Sequence, residues 1–189
     1  DLRTGLVQVT FAASTDESHP VLTGVLAEFE GSTLTLAAAD GFRLSMRRIP
    51  LIHPVPTPFS VIIPARALSE LMRIIGAQEE PVNISTTHPH NQILFKLTDT
   101  VLNSQLIDGN FPDVRRIIPA ASKTTVVLGR EEILRLLLEQ AGDPELLTAS
   151  REAVQAIEAL AAGGAADFLA AELAKTSVPE YRALLLDLL

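Results

Sequence analysis

No cysteine and no tryptophan occur among the 189 residues. The first absence excludes disulfide frameworks, thiolate metal sites and thiol nucleophiles, and it fits a reducing compartment. The second goes with an aromatic share of 4%, which argues against an aromatic-lined sugar or nucleobase site. No run of eighteen apolar residues occurs, and the first residues carry no signal-peptide pattern. A soluble, cytoplasmic protein is therefore expected. Catalytic signatures are missing too: there is no GxxxxGK[ST] phosphate loop, no GxSxG elbow and no HExxH pair.

The chain is rich in apolar residues, at 47%, which suffices for a buried core. Its formal charge of -8 is unevenly spread. Residues 1–128 hold ten Lys/Arg against twelve Asp/Glu, a net of -2; residues 129–189 hold five against eleven, a net of -6. Phosphate-backbone binding is mostly cation-driven, so any contact with nucleic acid requires the cations to gather on one surface.

Up to about residue 128 the pattern is short strands and polar turns with two helical stretches. Leu2, Leu6, Val9 and Phe11 recur near helical spacing. "VLTGVLAEFE" reads as a strand that turns at Gly31-Ser32 into "TLTLAAA". Asp40-Gly41 is a two-residue hairpin signal. "FRLSMRRI" alternates after it, with Phe42, Leu44 and Met46 on one face and Arg43, Ser45 and Arg47 on the other. A proline-rich connector leads to strand "FSVII", and Pro64 suits the start of a helix. "ARALSELMRII" stacks Leu68, Leu71, Met72 and Ile75 on one face, and Gly76 can end it. "VNIST", "QILFKL" and "TVLNSQLI" read as three strands, "NFPDVRRIIPA" as a connector and "KTTVVLG" as a further strand. From Arg130 the texture becomes Ala- and Leu-rich, with helical segments only.

Candidate chemistry in this pattern is sparse. His88-Pro89-His90 sets two imidazoles around a proline without cysteine or a nearby carboxylate pair, which reads as a solvated turn rather than a metal site. His19 and His53 are isolated beside prolines, and Glu79-Glu80 reads as a solvated loop. Asp40 reads as a turn former, since its side chain can bond the nearby backbone. No metal and no cofactor is expected.

Three segments carry a resemblance: "HPVLTGVLAEFEGSTLTLAAADGFRLSMRRIPL", "FSVIIPARALSELMRII" and "QLIDGNFPDVRRIIP". Together they resemble the middle domain of the bacterial sliding clamp, the beta subunit of DNA polymerase III, over about Leu2 to Leu134. The resemblance implies an α+β clamp-fold domain, two helices packed on antiparallel sheets, and a non-catalytic role. It implies a ring of such domains around duplex DNA, held without sequence specificity, that tethers polymerases and repair factors and has a clamp loader as a further partner. It divides the chain into a clamp middle domain at 1–121, the truncated start of a next clamp domain at 122–141, and an all-helical tail at 142–189. A homo-oligomer follows if a ring forms. The alternative is a non-ring adaptor or decoy that binds the same peptides without DNA.

By the same resemblance, the pocket for Leu/Phe-rich partner peptides is walled by Leu22, Ala39, Gly41, Phe42, Arg43, Leu44, Pro112, Arg116 and Ile117. The chemistry suits that use: an apolar cup with two arginines at its rim. Taken singly, Leu22 and Leu44 also fit an ordinary core. Ala39 stands where a threonine is frequent, and Phe42 where a smaller or polar ring is common. Arg66 and Arg73 lie seven apart on the second helix, opposite its apolar face. Periodicity alone leaves them as solubilising residues; the resemblance turns them, with Arg3 on the first helix, toward DNA.

Overall fold

The apolar spacing at the start of the chain becomes a nine-residue helix, α1 (Leu2–Thr10), with Gly5, Leu6 and Val9 buried. These observations come from a computed structural model that describes residues 2–76, 80–87 and 91–118, with isolated positions 121, 124, 127 and 129 beyond. The continuous stretches lie within one compact unit, Asp1–Pro119. The strand expected at 123–129 and the helices after it fall almost wholly outside the described residues, as does His88-Pro89-His90.

Four strands form the first sheet: β1 (Gly24–Glu30), β2 (Thr33–Ala39), β3 (Leu44–Pro50) and β4 (Phe59–Pro64), in the order β3-β2-β1-β4. All pairings are antiparallel, with Glu30 opposite Thr33 and Ala39 opposite Leu44 at the two hairpin ends. Alternation sends Val25, Ala27, Phe29, Leu34, Leu36, Ala38, Ile49, Val61 and Ile63 into the core. Phe29 and Phe59 stack there, 4.6 Å apart. Helix α1 packs on β2 and β3. Gly5 permits that approach, because a methyl group there would overlap Ile49 Cδ1.

Helix α2 (Ala65–Ile75) starts directly after Pro64 and ends at Gly76, whose φ of 50° closes the last turn. It buries Leu68, Leu71 and Ile75 and lies beside α1. Each such side chain contributes roughly 1.5–3 kcal/mol by leaving water. A second sheet, β5 (Asn83–Thr86), β6 (Gln92–Lys96) and β7 (Val101–Gln105), adds Ile93 and Phe95 to the same core. The chain then runs back along β4, where Ile107 N–H donates to Ile62 O at 2.9 Å. It ends in a short helix, α3 (Val114–Ile117), with Asp113 as its cap. Two helices, α1 and α2, packed on antiparallel sheets make this an α+β fold.

The structure corrects three local expectations. Val21 to Thr23 form a 3-10 turn, Pro20–Thr23, rather than the start of a strand. Pro20 fixes its first φ, and the Thr23 hydroxyl bonds back to Pro20 O at 2.7 Å. "NFPDVRRIIPA" contains α3 and is not all connector. The hairpin turn is centred on Gly41-Phe42 instead of Asp40-Gly41, so Phe42 belongs to the turn and β3 starts at Leu44.

Candidate peptide-docking site

The cause of that shifted turn is the Asp40 carboxylate. It accepts from the Phe42 N–H at 3.0 Å and the Arg43 N–H at 2.9 Å. Its other oxygen accepts from Arg43 Nε at 2.8 Å. Gly41 takes the positive φ of 92° that this turn needs. Burial pushes the Asp40 carboxyl up, but the Arg43 and Phe42 amides and the Arg43 guanidinium together hold it below its usual range. The Arg43 guanidinium also lies 5.8 Å from the centre of the Phe11 ring, a cation–π contact. Phe42 is left with its ring in water, 101% exposed.

Leu22, Gly41, Phe42 and Arg43 share one cleft with Asp40. The loop Ser14 to His19 forms its facing wall. Asp16 in that loop is ionised more readily than usual, because the Ser18 hydroxyl and amide bond to it. Ala39 and Leu44 pair across β2 and β3, on the sheet face away from α1. Ala39 is buried and Leu44 half-buried. Met46, Ala37, Leu26 and Ile62 form a cross-strand row on that same face, so it is apolar well beyond the hairpin.

The remaining three residues of the expected pocket come from the returning chain. Pro112 lines a second cleft, over Leu26, Glu28 and Ile62. Arg116 and Ile117 project from α3, and Arg116 pairs with Asp113 at 3.0 Å. The described geometry thus gathers four of the nine residues in one cleft, joins two more to them through the sheet, and sets the last three on the chain that recrosses the sheet. Reasoning from sequence missed three participants: Asp40 as a holder of Arg43, Phe11 as its ring partner, and Arg115, which reaches Glu28 on β1. The Asp-x-x-Arg spacing was the available signal for the first.

On α2, Arg66 and Arg73 are exposed on the side opposite the buried leucines, and Arg3 on α1 is exposed as well. Arg73 Nη2 pairs with Glu70 Oε2 at 2.6 Å. Among the described residues no group of three His, Cys, Asp or Glu could hold a metal, and no helix is long and apolar enough to cross a membrane.

Known proteins share this fold. Residues 1–113 match the family described as DNA polymerase III beta subunit, central domain. The beta sliding clamp of Bacillus subtilis is 36% identical over 164 residues, covering 84% of this chain and 43% of that protein. The crystal structure of the DNA polymerase sliding clamp from Bacillus subtilis superposes with a TM-score of 0.69, covering 74% of this chain and 36% of that one. A sliding clamp from Pseudomonas aeruginosa, solved bound to griselimycin, superposes at 0.66 with 29% identity, covering 74% and 37%. The chain therefore spans less than half the length of these relatives. With its matched segment taking up more than half of its residues, the chain belongs to the DNA polymerase III beta subunit family.

Proposed function

We propose that this chain is a sliding-clamp domain, a processivity factor without catalytic chemistry of its own. It docks short Leu/Phe-rich peptides of DNA polymerases and other clamp-binding proteins against the β2–β3 hairpin. Within a homo-oligomeric ring, loaded by a clamp loader, it encircles duplex DNA. The observation that supports this reading best is Phe42, fully exposed on a turn whose Phe42 and Arg43 amides are held by the Asp40 carboxylate. Covering this apolar ring on a partner contributes roughly 1.5–3 kcal/mol.

The charge pattern supports retention by encirclement rather than by tight contact. The chain is net acidic, and one of the two α2 arginines is already paired with Glu70. Exposed cations of this kind attract phosphate weakly and in a salt-dependent way, which lets a ring slide. Binding of a labelled Leu/Phe-containing peptide, followed by fluorescence anisotropy, tests the docking function. A saturable isotherm in the micromolar range, about -8 kcal/mol, is expected; a peptide that never saturates contradicts it. Solution mass and retention on circular DNA then separate a ring from a monomeric adaptor.

A further inference from the structure

We infer that Asp40 is a positioning residue for peptide docking: it sets both the backbone that presents Phe42 and the guanidinium of Arg43 before a peptide arrives. The inference rests on the docking function proposed above. A single carboxylate, with its side chain 15% exposed, makes three hydrogen bonds to the two residues that follow Gly41. Two of them fix the backbone from Phe42 to Arg43, and the third draws Arg43 back along the hairpin. Phe11, the residue just past α1, contacts the guanidinium from another part of the chain. Arg43 is thus ordered between the turn and the helix end, and it borders the cleft that Leu22 and Phe42 share.

Ordering a long side chain at the moment of binding costs conformational freedom, so a cleft with an ordered arginine loses less on binding. Asp40 touches that cost directly. A turn former alone needs only the Oδ1 bonds; the bond from Oδ2 to Arg43 Nε has no part in closing the turn. The two functions separate chemically. Asparagine keeps an oxygen for the two amides but presents N–H to the guanidinium, whereas alanine removes both.

The experiment uses the full chain and its Asp40→Asn and Asp40→Ala variants. Affinity for a Leu/Phe-containing peptide is measured together with hydrogen exchange at the Phe42 and Arg43 amides. In Asp40→Ala, both amides are expected to exchange about tenfold faster and the peptide to bind about tenfold more weakly, equal to ~1.4 kcal/mol. In Asp40→Asn the amides stay protected and affinity still falls, which a purely structural turn former would not produce. Full affinity in a folded Asp40→Asn chain overturns the role assigned to the Arg43 bond, and full affinity in Asp40→Ala overturns positioning altogether. If the unsubstituted chain takes up no peptide, the docking function fails and this role fails with it.

Discussion

Arg115 Nη2 lies 2.7 Å from Glu28 Oε2, joining residues 87 positions apart. The ion pair ties α3 to the face of β1 that points away from α1 and α2. That face carries the apolar row continuing from the hairpin, and α3 carries Arg116 and Ile117. Both side chains of the pair are partly exposed, at 60% and 32%, so solvent screens it and its contribution is at most about 1 kcal/mol. Arg115→Ala should therefore lower the melting temperature by only a few degrees, yet raise hydrogen exchange at Arg116 and Ile117. An unchanged exchange pattern at α3 would show that the pair does not hold it.

Gly5 sets how closely α1 lies on β3. Gly5→Ala should destabilise the fold by about 1–3 kcal/mol through overpacking, despite a gain of up to about 1 kcal/mol in helix propensity. Adding Ile49→Val removes the overlapping Cδ1 and should recover part of the loss. Urea midpoints of the two variants check this; equal midpoints would mean that the clash lies elsewhere.

Acid should weaken the β2–β3 hairpin through Asp40. Its carboxyl titrates below the usual range in the folded chain. The stabilisation it brings is thus fully present above the ordinary value, about 3.9, and is lost as pH falls through the lowered native value. The stability difference between the parent chain and Asp40→Asn, from urea unfolding, should hold steady from neutral pH down to about pH 5 and shrink below about 3.9. A difference independent of pH would detach Asp40 from the acid response.

Arg66 and Arg73 should act on DNA only when a ring is present. Changing both to Glu should leave peptide affinity intact and weaken retention on circular DNA. For every arginine–phosphate interaction abolished, the slope of retention against salt should fall by about one. Because Arg73 is paired with Glu70, Arg66→Glu alone should have the larger effect. A slope unchanged in the double variant would turn this face of α2 away from DNA.

Helices α1 and α2 and the core were legible in the sequence because their signals are repeated. Leu68, Leu71 and Ile75 each restate one buried face, and Pro64 and Gly76 bracket it. The strand alternation after Leu44 read correctly for the same reason. The hairpin tip did not, since Asp-Gly signals a turn without stating its centre. A carboxylate that captures the amides of Phe42 and Arg43 moved that centre by one residue. The 3-10 turn at Pro20–Thr23 was hidden behind β-branched residues that favour strands until Pro20 and the Thr23 hydroxyl are weighed. As for the site, the pocket residues were nameable only as a group, through resemblance. The contacts of Phe11 with Arg43 and of Glu28 with Arg115 depend on tertiary placement, which spacing alone does not reveal, whereas the Asp40–Arg43 bond is local and its Asp-x-x-Arg spacing stood in the sequence.

The central claim is that the β2–β3 hairpin docks a Leu/Phe-rich peptide. Its most direct test compares the parent chain with Arg43→Ala/Leu44→Ala in one anisotropy titration, with circular dichroism confirming that both are folded. The account predicts micromolar binding by the parent, about 8 kcal/mol in magnitude, and no saturation by the double variant. Equal affinity in the two folded chains would contradict it.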